Sequence, residues 1–432
     1  MKTLKIGVIL LALLLVGMAM VPMVSAGDTA IHPEQITSGN LQPISTNPAK
    51  VTINEAESIA LVNVKLVAGI NTELNAWKTA SVKYSTTYYD LNDQITAYSF
   101  DVLVDGNYGG YILISATPDN FPVLALSKGR IPNADQKYAA TSIKSAEKFA
   151  LEKGLQATNV EPVYLGGLSF YHKYQLVDAK GKNTGEAYVD LHSNQIVDLK
   201  NTTHEISIPV DSQKISQVLQ EKQTAIKNSW TNQRKLVSGD TSVISKANTP
   251  QVNSLYTNTV SGVPLYFWRD GCSPTAAAMV LGYWQSHGYP SLPTGNTLID
   301  DLAFAMGTGS TWPLNGVTLP TAIDSGISSV TASFGYSSLH GVSSYAPSFS
   351  DDMTEIDAQR PFVLSMLYGG TGAGRSSPYN SHSVAVIGYM NSVPQLVQIY
   401  DTWYVSGDPT NYNYHWLQYG NWGWGMNTYV RT

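Results

Sequence analysis

Trp268-Arg269-Asp270-Gly271-Cys272-Ser273-Pro274-Thr275-Ala276-Ala277-Ala278-Met279-Val280-Leu281-Gly282-Tyr283-Trp284 carries the only cysteine of the chain. Pro274 stands where a first helical turn tolerates a missing amide hydrogen. Ala276, Met279, Val280 and Tyr283 then recur at i, i+3, i+4 and i+7. The spacing predicts a buried amphipathic helix with Cys272 at its N-terminus. Free amides and the positive end of the helix dipole favour a thiolate there, which lowers the thiol pKa. Gly271 lets the backbone approach closely, so that a substrate carbonyl can reach the sulfur.

A thiolate at a helix start needs a base beside it. His382 opens the run Ser381-His382-Ser383-Val384-Ala385-Val386-Ile387-Gly388-Tyr389, which reads as a strand, and Leu396 to Trp403 reads as a second. Met390 to Val393 is the short connection. In an antiparallel hairpin with Tyr389 facing Pro394, His382 falls directly across from Asp401. Opposed residues point to one face with Cβ atoms about 5 Å apart. An aspartate so placed accepts from one imidazole nitrogen and leaves the other to face the thiol.

These residues carry a resemblance. Gly271-Cys272-Ser273-Pro274-Thr275-Ala276, then Ile356 to Phe362 ahead of a strand, then His382 to Tyr389, then Tyr400-Asp401-Thr402-Trp403 resemble the papain-like cysteine peptidases. The nearest members are the bacteriocin-processing, double-glycine-leader peptidases and their secreted relatives. The resemblance implies an α+β catalytic domain in which an N-terminal helix bearing Cys272 packs on an antiparallel sheet bearing His382 and Asp401. It makes Cys272 the nucleophile, His382 the general base and acid, and Asp401 the orienting residue. The family usually has a glutamine about six residues before the cysteine as an oxyanion donor, and this chain has Tyr266 there. Losing such a donor costs about 100- to 1000-fold in rate, so the Tyr266 hydroxyl or the Trp268 indole is expected to join the Cys272 amide in that role.

Working outward, residues 251–432 are read as the peptidase domain, rich in Trp, Tyr and Gly. Before it, 206–250 reads as a helical and polar linker. Ile215, Leu219, Ile226 and Trp230 lie on one side of a helix at 212–233, and an exposed cleavable stretch follows at 237–250. Residues 27–205 read as an α+β region with no catalytic group of its own, similar in its placement to the pro-domains of secreted peptidases. Its first helix begins at the Thr52/Glu55 capping box and buries Ile53, Ala56, Ala60, Val64 and Val67. Strands follow at 96–104 and 110–115 around Asp105-Gly106, then a helix through Ile143, Ala146, Phe149 and Ala150 that stops at Gly154. Further strands are expected near 162–177 and 185–199, with His192-Ser193-Asn194 as a turn, and His172 and His192 at the surface. As a precursor segment, 27–250 is expected to pack on the catalytic domain until cut.

Residues 1–26 read as a signal peptide: Lys2 and Lys5, an apolar run from Ile6 to Val21, and Val24-Ser25-Ala26 as the cleavage site. No later stretch is long and apolar enough to span a bilayer, so a secreted or cell-surface product without membrane attachment is expected. Charged residues are 13% of the chain and the net charge is −6, with no basic run, which excludes a nucleic-acid partner. A lone cysteine and the absence of a close histidine pair argue against zinc, and no cofactor is called for.

His287, His340 and His415 compete with His382, and of these His415, between Tyr414 and Trp416, is the serious rival. Asp351, Asp352, Glu355 and Asp357 read as a solvated helix face, as do Asp300 and Asp301. The aromatic run Trp416 to Trp424 is expected to close a sheet edge and pack on the core. The expected activity is endopeptidase cleavage of a protein or peptide through a thioester. The alternatives are a cell-wall amidase or transpeptidase, or an inactive binding module of the same fold.

Overall fold

The computed structural model describes residues 34–36, 50–131, 136–191, 194–199, 206–246, 256–309, 316–367, 382–402 and 414–432. The N-terminal half contains β1 (Glu34–Ile36), α1 (Ile53–Ile70), β2 (Ser81–Tyr89), β3 (Ile95–Val104), β4 (Asn107–Ser115), β5 (Val123–Ser127), α2 (Gln136–Glu152), β6 (Gln156–Tyr164), β7 (Phe170–Val177), β8 (Asn183–Asp190), β9 (Ile196–Val197) and β10 (Ile206–Ile208). Next come α3 (Ser212–Val237), α4 (Ser242–Lys246), β11 (Tyr256–Thr259), α5 (Cys272–Ser286), α6 (Gly295–Ala305) and α7 (Ile323–Ser333). The chain ends with β12 (His340–Ser344), α8 (Phe349–Asp357), β13 (Phe362–Leu367), β14 (His382–Asn391), β15 (Leu396–Tyr400), β16 (Tyr414–Gln418) and β17 (Trp424–Arg431). The signal-peptide residues 1–26 and the turn residues His192 and Ser193 lie outside the described residues.

The local signals act where the sequence places them. Thr52 caps α1 by accepting from the Glu55 amide at 3.1 Å, and Ala56, Ala60, Val64 and Val67 are fully buried. Ile53, expected on that face, is exposed, and the Glu55 carboxylate takes Arg234 Nε at 2.9 Å in place of closing the box. Asp105 and Gly106 both adopt positive φ and turn β3 into β4, with Val104 facing Asn107. The apolar face of α5 is buried along its whole length from Ala276 to Leu281.

Two units were expected, yet one sheet runs through both. Its strand order is β12-β17-β13-β14-β15-β16-β5-β4-β3-β2-β6-β7-β8-β9, with β11 also paired to β14. The seam is β16 against β5, where Trp416 faces Leu126 and Leu417 faces Ala125. The cores are mixed as well. Tyr111, Leu113 and Leu124 from the N-terminal half join Met279, Val384 and Ile399 in one cluster, and Met390, Leu396 and Trp416 join the cluster built on α1. The aromatic tail packs its rings inward as expected, but β16 is internal to the sheet because β5 covers it.

The helix expected at 212–233 within the linker forms as α3, Ser212–Val237. Helix α3 straps the two halves together: Ile215 packs on Leu367, Trp424 and Met426, while Trp230 donates to the Asn120 carbonyl at 2.7 Å. Gln233, fully buried, bonds Asn63 and the Val393 carbonyl. In α4, Val243 is buried beside Leu236 and Val393, so the stretch after 237 is partly packed; 247–250 lies outside the described residues.

Two surface readings are corrected. His172, on β7, is buried, with Nδ1 3.0 Å from the Ser142 hydroxyl, and burial lowers its pKa to about 4. On α8, Asp352 and Glu355 are buried. Asp352 accepts from Asn427 at 2.6 Å, and Glu355 binds both Arg360 and Arg431. Asp357 accepts from the Tyr389 hydroxyl at 2.7 Å and from Asn258, and only Asp351 is used as a helix cap. Spacing alone gave an acidic face, but β17 supplies partners that let Asp352 and Glu355 turn inward. Asp300 stays exposed and forms a two-bond pair with Arg269.

Candidate active site

Cys272 is the first residue of α5 and is partly exposed. Gly271 precedes it at φ 130°, and a Cβ there would lie 2.8 Å from the Gly316 carbonyl oxygen and 3.2 Å from both Pro274 and Thr308. Only glycine makes this entry to the helix without strain. The fully buried Thr275 pins the same loop. Its hydroxyl donates to the Gly271 carbonyl at 2.7 Å and accepts from the Arg269 amide at 3.2 Å.

Cys272 lies beside the start of β14, where the peptide groups at Ser383 and Ser273 favour its anion. Hydroxyls complete the junction: Ser273 meets Ser383 at 2.8 Å, and Ser383 meets Ser365 of β13 at 3.1 Å. His382, the residue before Ser383, opens β14, is 9% exposed and pairs with Met366. Cys272 and His382 are thus the chain neighbours of the two residues, Ser273 and Ser383, that meet at this junction. The thiol pKa is not lowered: burial pushes it up, and the hydrogen bonds from Ser383, Ser273 and its own amide only partly offset that. Desolvation penalises the anion more than the helix end rewards it.

The hairpin register differs from the expected one. Tyr389 faces Val397, not Pro394, and Ala385 faces Tyr400, with an irregularity between Val386 and Gly388. Proline has no amide hydrogen to give a ladder, so pairing begins only at Leu396. One step past the Ala385–Tyr400 pair, Asp401 is level with Val384 and therefore diagonal to His382, where Cβ atoms are about 7–8 Å apart. On its other side Asp401 meets the rival histidine: its Oδ2 is 2.5 Å from His415 Nε2. His415 in turn has Nδ1 3.1 Å from the hydroxyl of Tyr111 on β4. His415 is level with Val386 but two strands away, which puts it about 14 Å from Ser383 by strand spacing and rise. It cannot be the base on Cys272. His287 stacks on Tyr283 and His340 bonds the Ser338 carbonyl, both exposed.

Residues 260–430 match the family model described as the Peptidase_C39 like family. Over those residues the C-terminal part of the chain is similar to that family. A solved structure, a mutant fragment (residues 39–359) of prointerpain A from Prevotella intermedia, is similar over 82% of this chain and 98% of that chain. The identity is 13% and the TM-score 0.33, a likeness too distant to carry an inference about activity. The search of curated proteins returns no match.

Within the C-terminal part the two oxyanion candidates part ways. The Tyr266 hydroxyl lies 2.9 Å from where a Cβ on Gly282 would sit, ten residues down α5. At 1.5 Å rise per residue that is about 15 Å from Cys272, so Tyr266 is a packing residue and not a donor there. Trp268 stays at the mouth. Its backbone amide donates to Thr402 at 2.6 Å, and its ring edge meets Gly316, which itself abuts Gly271. Sequence reasoning missed Tyr111, because a phenol on a hairpin 304 residues away from His415 leaves no local signal. It also passed over Thr275, whose place one turn into the helix was the available clue.

Proposed function

We propose that the chain is an exported cysteine endopeptidase that cleaves peptide bonds through a thioester, with Cys272 as nucleophile, His382 as general base and acid, and Asp401 as orienting residue. The observation that supports this reading is Cys272 at the mouth of α5, with the next residue, Ser273, 2.8 Å from Ser383, the residue that follows His382. The thiolate attacks the carbonyl carbon, and the His382 imidazolium gives its proton to the departing amine. His382 then takes a proton from the water that hydrolyses the thioester. The Cys272 amide supplies one oxyanion donor and the Trp268 indole is the candidate for the second. Lys2, Lys5 and the apolar run Ile6–Val21 support export. The precursor segment, in this reading, stays seated on the C39-like domain after any cut between 247 and 250.

The test is labelling of the full chain by a thiol-reactive peptide epoxide. Labelling of the wild type that disappears in both Cys272→Ala and His382→Ala supports the reading, and equal labelling of His382→Ala rejects it. Digestion of casein but not of purified cell wall assigns the endopeptidase activity, and the reverse assigns the amidase or transpeptidase alternative.

A further inference from the structure

We propose that Tyr111, from the N-terminal half, fixes His415 as the tautomer whose Nε2–H donates to Asp401, and that this pair positions the carboxylate at the candidate site. For the role of Asp401 the inference rests on the peptidase reading above. The chain Tyr111–His415–Asp401 is independent of it.

The three groups are 1%, 8% and 4% exposed, so their hydrogen bonds are not shared with bulk water. A carboxylate only accepts, and the 2.5 Å contact therefore requires the hydrogen on His415 Nε2. Among the described residues the Tyr111 hydroxyl has His415 Nδ1 as its partner, 3.1 Å away. Burial, with Tyr108, Asp401, Tyr88 and Tyr164 around it, holds the phenol pKa well above its ordinary value, so the hydroxyl keeps its hydrogen and gives it to a bare Nδ1. With Nδ1 accepting from the phenol and Nε2–H donating to Asp401, the ring is held in one tautomer. The other strand beside His415, β5, presents Ala125 and Leu126 to β16 and adds no charge.

Asp401 lies just past the end of β15, one residue beyond the Ala385–Tyr400 pair. A donor fixed on Oδ2 sets the rotation of the whole carboxylate, which is diagonal to His382 on one side and to His415 on the other. The N-terminal half thereby supplies a hydroxyl to the support of the site. Tyr111 and His415 are positioning residues, since neither is within reach of Cys272.

Two measurements on the full chain test this. Spectra of 15N-histidine-labelled protein read the His415 tautomer whether or not the enzyme turns over. An Nε2–H, bare-Nδ1 ring in the wild type that changes in Tyr111→Phe supports the proposal, and an unchanged ring overturns it. In kinetics, Tyr111→Phe and His415→Leu are expected to lower kcat by about 10- to 100-fold with KM unchanged, as a misplaced orienting group does. The alkaline limb of the pH profile is expected to move to lower pH, because a less well-placed Asp401 holds the His382 proton less firmly. His415→Gln, which keeps a donor near the Nε2 position, is expected to recover most of the loss. Wild-type kcat and an unmoved limb in Tyr111→Phe overturn the proposal, and since this variant removes a single oxygen it also answers where His415→Leu fails to fold. A wild type without turnover that depends on Cys272 sinks the peptidase reading instead, and the spectra then decide the Tyr111–His415 assignment alone.

Discussion

Gly271 sets where the sulfur can stand. Its φ of 130° and the Gly316 carbonyl 2.8 Å from any Cβ leave no room for a side chain. Gly271→Ala is expected to cost roughly 2–4 kcal/mol of stability and to reduce Cys272 labelling sharply, read by urea unfolding and by the epoxide assay. Tyr266 is the contrary case. The family pattern draws attention to it, but its hydroxyl is spent on packing over Gly282. Tyr266→Phe is expected to leave kcat within about twofold, since it removes nothing that can reach an oxyanion. A large kcat loss with normal stability would return Tyr266 to the catalytic machinery. Cys272 itself shows two effects in opposition: the helix end favours its anion, yet burial outweighs it.

Strands and helices were legible wherever a face is decided locally. The Thr52 cap, the Asp105-Gly106 turn and the α5 stripe each act over one to four residues, and each appears where the sequence puts it. What spacing did not reveal is which polar faces acquire partners. Asp352 and Glu355 of α8 turn inward because Asn427, Arg360 and Arg431 meet them, while Asp351 and Asp357 stay exposed. Glu355→Gln is expected to destabilise by about 2–3 kcal/mol, because two guanidinium groups lose a charged acceptor. On β7, the buried His172 has a folded pKa of about 4 against an ordinary 6.5. The unfolded chain therefore takes the proton first as pH falls. The stability supplied by the neutral ring is intact above pH 6.5 and is lost between 6.5 and 4, by about 3 kcal/mol in all. Urea titrations at pH 7 and pH 4 should show that His172→Gln loses this part of the slope, and identical slopes would refute the assignment.

At the level of the whole molecule, the N-terminal half behaves as part of one body with the C-terminal half. Beta pairing at β5–β16, two mixed cores and the α3 strap all cross between them. A specific protease site placed at 247–250 and cut to completion is expected to give two fragments that co-elute in gel filtration and separate only in denaturant. Separation in buffer would show that the seam is weak and that the segment is released as a free pro-domain. No helix among the described residues is long and apolar enough to cross a membrane.

The sequence by itself determined the helix that carries Cys272 and the strand that carries His382. Those features follow from periodicity and capping, which act within a few residues of chain. The exact opposition of His382 and Asp401 was not determined, because register depends on where Pro394 lets the ladder begin and on the irregularity at Val386. Nor was the partner of Asp401, since His415 and Tyr111 reach it through strands β16 and β4, which only the closed sheet brings side by side. Contacts between distant segments are set by how the whole sheet assembles and buries its faces, and no local pattern of residues encodes that assembly.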